Sequence, residues 1–383
     1  MENEINEEDL ANQIEETDLD DVEIDDEHEA YDNSDVIFTQ HKGSVFVVNV
    51  DPKFGKYAVS GGEDDTAFVW EIKSGDVMFQ CEGYTDSVTC ARFNHDSTMV
   101  AVGDMAGNVK VWNLESKQVV WSFETSDLEW LLWHPGAPVL LAGTHDGECW
   151  MWKIPSGDCK TFPSPGSSCN CGVILPGGKL ACFGYADGST RVIELKTGEV
   201  QSTLAKGQKS HPSCVNHLAS DNDGHIVLAG CVNGMVKLIN ATTGKVIQVS
   251  SSYTVIDEKS DEEIENSVEC VGFSSMLPLA ASASLNNKLT IWDLKSSKPR
   301  HKCPHPAGVS VMSWNNRGSS IYTGCLDGVC RLWGARGGEV EDTFVGHQGE
   351  IYDIAVTSND DYFLSASADG SVRVYATSHD GTT

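Results

Sequence analysis

No apolar run in this chain approaches the roughly 20 residues needed to cross a bilayer, so no membrane span is expected. The opening residues Met1-Glu2-Asn3-Glu4 are acidic, where a secretory leader would be basic and then apolar. Bases are missing from the whole start: residues 1–35 hold seventeen Asp or Glu and no Lys or Arg, and the first base is Lys42. None of the thirteen cysteines has Cys-x-x-Cys spacing, which speaks against a zinc knuckle. Without a leader, reduced and buried thiols are expected in place of disulfides. A Gly-x-Ser-x-Gly elbow and a phosphate-binding glycine loop are also lacking. These absences set aside membrane, disulfide-scaffold and nucleotide-hydrolysing classes. They make the cytoplasm, with the nucleus as a second compartment, the expected location.

Acid is what the chain has in excess. The formal net charge is −31, and the first 35 residues account for 17 of those charges, leaving −14 on the remainder. Such a surface repels nucleic-acid phosphates and anionic membranes and attracts basic protein segments, so nucleic acid is not expected as a primary ligand. Residues 1–35 alternate acids with isolated Leu, Ile and Val and cannot bury enough surface to order themselves; they are read as a disordered acidic tail. A second acidic interruption, Asp257–Glu265, reads as a flexible loop.

Internal repetition decides the fold. Eight units each end in a β-prone run closed by an anchor: Trp70, Trp112, Trp152, Ile193, Ile239, Trp292, Trp333 and Tyr375, spaced 42, 40, 41, 46, 53, 41 and 42 residues apart. Six residues before each anchor stands a turn former: Asp64, Ala106, Asp146, Asp187, Asn233, Asn286, Asp327 and Asp369. Asp and Asn suit that place because they bond nearby backbone and tolerate left-handed geometry. Ser60, Ser282, Thr323 and Ser365 lie ten residues before their anchors, and His41, His305 and His347 open units one, seven and eight. A period of 40 to 45 residues with these features predicts an all-β WD-repeat β-propeller over residues 36–383. Too few residues follow Tyr375 to make a good last strand, whereas Val36–Thr39 is apolar and β-prone ahead of unit one. Donating it to the last blade closes the ring and removes exposed edges. Eight blades are expected; seven blades with a degenerate appendage is the alternative.

The His–Asp–Ser sets resemble hydrolase triads. An enzyme needs one triad, however, and the sets recur, so His41, Ser60, Asp64 and Trp70, His305, Thr323, Asp327 and Trp333, and His347, Ser365 and Asp369 are read as buried hydrogen-bond networks. No catalysis, metal or cofactor is expected. In a propeller, alternate residues at the start of each innermost strand face the channel mouth. Two such positions per blade, with the residue before each turn former, include Glu63, Asp127, Glu129, Glu269 and Glu350 and no Lys or Arg. Phe46 and Tyr352 add aromatic anchors of the kind enriched at interfaces. A monomeric protein-binding propeller with an acidic mouth is the expectation.

Several stretches carry a closer likeness: Gly61–Trp70, Asp86–Trp112, Asp127–Trp130, Pro138–Phe162 and Asn266–Phe273. On these the chain resembles the angio-associated migratory cell protein family across nearly the whole propeller, acidic tail and acidic loop included. The resemblance implies kinship with a fungal WD-repeat chaperone dedicated to one large-subunit ribosomal protein, an eight-bladed propeller whose acidic face holds the basic N-terminal segment of its client. It thus implies a role in ribosome biogenesis. For animal members it implies links to cell migration, angiogenesis and small-GTPase signalling, so a signalling scaffold is the alternative function. Ala106 departs from the turn pattern, and Ile193, Ile239 and Tyr375 depart from the Trp anchor. The tail has no basic stretch, which leaves a heparin-binding role unsupported.

Overall fold

The computed structural model describes residues 31–204, 213–251, 266–296 and 298–377. The acidic tail up to residue 30 and the acidic loop 257–265 lie outside the described residues. All regular structure among the described residues is β: eight four-stranded antiparallel sheets, the blades of a propeller. Seven blades take their strands in chain order, and the eighth is completed by Val36–Phe38, which pairs with Val372–Ala376 in the register Phe38↔Val372. The innermost strands of neighbouring blades pack around the whole ring, the first against both the second and the last.

Burial explains why the four strands of a blade read so differently. The second and third strands lie between neighbouring blades, so Tyr57–Gly62 and Ala67–Glu71 are buried almost throughout and carry near-continuous apolar runs instead of alternation. Outer strands such as Val77–Cys81 are mostly open to solvent. Close blade approach requires small residues: a Cβ on Gly61 would lie 2.4 Å from Val88 Cγ1 of the next blade. In all eight blades the residue after the turn former has a positive φ, supplied by Gly six times and by Asp65 and Asn287 otherwise, as a tight turn there demands.

The internal networks run in a fixed direction in blade one. Trp70 Nε1 donates to Ser60 Oγ (3.2 Å), Ser60 meets His41 Nε2 (2.9 Å), and His41 Nδ1 meets Asp64 Oδ1 (3.0 Å). Blade eight repeats this with His347, Ser365 and Asp369 at 2.8 Å each. Blade seven does not. His305 Nδ1 donates to the Cys303 carbonyl (3.1 Å), while Asp327 is taken by Arg331 (2.8 Å). Asp327 therefore stands outside the His305–Thr323–Trp333 network expected to include it, because a guanidinium four residues away is the stronger partner. Blade two compensates for Ala106: buried Asp104 accepts from the Thr85 and Asn108 amides (2.9 and 2.7 Å), and Trp112 Nε1 donates to the Tyr84 hydroxyl (3.2 Å).

A second correction concerns the start of the fold. Asp32–Asp35, read as tail from their acidity, belong to the propeller unit. Asn33 exchanges bonds with Val345, Asp35 N donates to the Val374 carbonyl (2.8 Å), and Asp32 pairs with Arg373 of the last blade. The thirteen cysteines are all free, and eleven are buried.

His305 makes acid stability testable. Burial pushes its imidazole down to about 4, so the unfolded chain binds a proton between pH ~6.5 and ~4 that the folded chain refuses. Stability is complete above that window and is lost as pH falls through it, by up to about 3 kcal/mol. Asp64 and Asp369, whose carboxyls are held below the usual range by His41 and His347 against the opposing effect of burial, add acid sensitivity only below about pH 4. Urea unfolding at about pH 7 and pH 4.5 should show this loss in the wild type and a flatter profile in His305→Gln; equal slopes would contradict it.

Candidate partner-binding site at the channel mouth

One irregularity recurs in every blade and builds the mouth. Each innermost strand carries a β-bulge at its first pairs: between Val45 and Val47, Val88 and Cys90, Leu128 and Trp130, and Cys169 and Cys171. The other four lie between Val215 and His217, Val268 and Cys270, Val309 and Val311, and Ile351 and Asp353. A bulge leaves one residue unpaired and re-aims its side chain. Here that residue is Phe46, Thr89, Glu129, Asn170, Asn216, Glu269, Ser310 and Tyr352 in blade order.

Contacts between successive blades link these residues and their neighbours at several of the junctions. Phe46 and Tyr352 rings lie 5.6 Å apart across blades one and eight. Glu129 Oε1 accepts from Ser168 of blade four (3.3 Å) and meets His145 Nδ1 of its own blade (2.9 Å). Asn170 Nδ2 reaches Cys214 Sγ (3.0 Å), and Asn216 Nδ2 donates to Glu269 Oε2 (3.1 Å). Glu63, Asp127, Glu129 and Glu350 are exposed and Glu269 is half-buried.

The acids fall into two arcs on opposite sides of the ring. Glu63 and Glu350 flank Tyr352, whose phenol is pushed up by burial and then by both carboxylates. Glu129 and Glu269 both bear on Cys214 of blade five, adding to the rise that burial and Cys231 impose on its thiol. Deeper in, Arg92 of blade two stands 3.8 Å from Asp353 of blade eight, beside an open recess of about 260 Å³ that Asn49 and Ser313 also line. Burial raises the Asp353 carboxyl while Arg92 pulls against it. This pair was missed by the sequence reading; its signal was a lone Arg and a lone Asp in otherwise uncharged stretches of innermost strand. Among the described residues no three His, Cys, Asp or Glu side chains are grouped to hold a metal.

Among the described residues, His145 is the one basic side chain that forms an ion pair with these mouth acids. Hydrogen bonding and charge from Glu129 raise its imidazole, and Asp127 and Asp146 add to this. Once protonated it occupies the carboxylate that an incoming base would use. Binding of a basic peptide should therefore weaken about two- to fivefold between about pH 7.5 and pH 5.5, and His145→Ala should flatten that profile. An unchanged profile in the variant would show that His145 does not compete.

Eight four-stranded blades closed by an N-terminal strand, with His–Ser–Trp networks inside, define a WD-repeat β-propeller. The model of the WD domain, G-beta repeat matches residues 75–113, 200–240, 297–334 and 338–376, four of the eight blades. The chain is 46% identical over 351 residues to the human angio-associated migratory cell protein, covering 91% of this chain and 81% of that protein. It belongs to the angio-associated migratory cell protein family. A more distant relative is the ribosome assembly protein SQT1 of Saccharomyces cerevisiae, 25% identical over 383 residues, covering 88% of this chain and 84% of that one. The fold also matches the crystal structure of Chaetomium thermophilum Sqt1 bound to the N-terminus of the ribosomal protein L10. That match has a TM-score of 0.81 at 19% identity and covers 91% of this chain and all of that one.

Proposed function

We propose that this propeller is a non-enzymatic holder of basic protein segments, and that its client is a basic segment of a large-subunit ribosomal protein awaiting assembly. The observation that carries the reading is the mouth itself. Glu129 and Glu269 occupy unpaired bulge positions, Glu63, Asp127 and Glu350 stand beside that ring, and none of the eight bulge residues is Lys or Arg. Arg and Lys of a client would replace water on these carboxylates with charge-assisted hydrogen bonds, and the field of the acidic face would raise the capture rate. The fungal relative bound to the N-terminus of L10 supports the choice of client.

The direct test is titration of this propeller with a labelled peptide from the N-terminus of its own organism's L10 homologue, followed by fluorescence anisotropy at low and high salt. Tight binding that weakens steeply with salt is expected. The signalling-scaffold reading requires different surfaces. If the L10 peptide does not bind and small-GTPase regulators co-purify instead, that reading replaces the chaperone one.

A further inference from the structure

The two acidic arcs differ in a way that charge alone does not explain. In the arc of blades three to six, Glu129 already holds His145 and Ser168, Glu269 holds Asn216, and no aromatic ring occupies a bulge position. In the arc of blades eight and one, the bulge residues are Phe46 and Tyr352, half-buried rings at 5.6 Å with 41° between their planes. Glu63 accepts the Ser44 amide (3.1 Å) and Glu350 accepts the Tyr352 hydroxyl (3.3 Å). Among the described residues neither carboxylate has an ion pair. Each keeps lone pairs to offer, beside an aromatic surface that is partly open.

Packing does not require aromatics here. The same bulge holds Thr89, Asn170, Asn216 and Ser310 in other blades, so the position tolerates small polar residues. What the pairing of rings and free carboxylates suits is a cation that is flat, weakly hydrated and able to fork. A guanidinium can lie against a ring face while its edge N–H groups reach carboxylate oxygens; an ammonium is a compact, strongly hydrated point charge that gains less from either.

We propose that Phe46, Tyr352, Glu63 and Glu350 form an arginine-selective subsite, so that the client is recognised through an arginine on this side of the mouth and through positive charge alone on the other. This rests on the acidic mouth being the binding surface. It adds that Lys and Arg are not equivalent in the client.

Labelled nona-arginine and nona-lysine peptides separate the two claims, because they carry equal charge. The wild-type chain should bind nona-arginine about tenfold more tightly. The double variant Phe46→Leu/Tyr352→Leu should bring that ratio down to about two while leaving nona-lysine binding within about twofold. Its melting midpoint should match the wild type, since both side chains are only half-buried. Tyr352→Phe retains the ring and should retain the ratio. Glu129→Gln should weaken both peptides by the same factor. Equal wild-type affinities, or an unchanged ratio in the double variant, would overturn the arginine subsite and leave the acidic mouth standing. Failure of both peptides to bind the wild type would overturn the acidic mouth itself.

Discussion

Replacing Phe38 with alanine will lower the stability of the propeller by about 3–5 kcal/mol, although the residue lies on a strand of only three residues. Its ring is 2% exposed, stacks on Trp70 with centroids 4.4 Å apart and planes 9° apart, and meets Phe68 edge-on at 5.8 Å. The cluster around it joins Ala58, Phe68 and Trp70 of blade one to Leu364, Val372 and Val374 of blade eight. One side chain from the N-terminal strand thus fills the seam between the first and last blades. Removing it leaves a cavity in the joint that closes the ring, where blades cannot relax inward without losing their neighbours. Ile37, the preceding residue, is 46% exposed, and Ile37→Ala should cost far less. Urea unfolding measures the loss. Hydrogen exchange should show that amides of Val372–Ala376 lose protection before those of mid-ring blades. A loss below about 1 kcal/mol, or loosening spread evenly over the ring, would mean that closure does not depend on this contact.

The second large effect is on binding. The triple variant Glu63→Lys/Glu129→Lys/Glu269→Lys places one base in the first arc and two in the second, and should weaken a basic client peptide at least about a hundredfold, the scale of roughly 3 kcal/mol expected when partly desolvated charge pairs become like-charge contacts. Net charge alone would also change, so the informative control moves the same charge elsewhere. Asp76, Glu115 and Glu199 are exposed acids in hairpins at the far ends of their blades. Reversing those three should leave the affinity within a few-fold of wild type, because a Debye length near 8 Å screens them from the mouth. Equal losses in the two triple variants would reduce the site to a general electrostatic attraction.

Much of this could be read from residue spacing. The anchors and turn formers gave blade number and blade limits, because a repeated motif reports the same local geometry eight times, and the closing strand followed from the short end after Tyr375 and the β-prone Val36–Thr39. The second expected mouth position in each blade was reached by strand alternation, yet it turns out to be the residue that a bulge leaves unpaired. Alternation cannot reveal an inserted residue when apolar residues stand on both sides of it, as in Val45-Phe46-Val47-Val48. Partner choice within a network was also hidden. Asp327 sits at the same motif position as Asp64 and Asp369, and only Arg331 beside it turns the carboxylate away from His305. Asp104 does the work of the missing acid at position 106 from two residues earlier, out of motif register. Acidity likewise does not reveal that Asp32–Asp35 bond to Val345, Arg373 and Val374 near the other end of the chain. The Arg92–Asp353 pair joins blades two and eight, a contact that exists only once the ring is closed.

The repeated bulge has an implication for how such a protein can change. A residue released from the ladder owes nothing to cross-strand pairing, and its side chain can be exchanged without disturbing the hydrogen bonds on either side. The eight bulge residues already range over aromatic, acidic, amide and hydroxyl chemistry on one invariant frame. For the proposed binding surface this means that chemistry can be changed at one position while the frame behind it stays as it was, with neighbours such as Phe46 and Tyr352, or Asn216 and Glu269, changing as pairs because they touch.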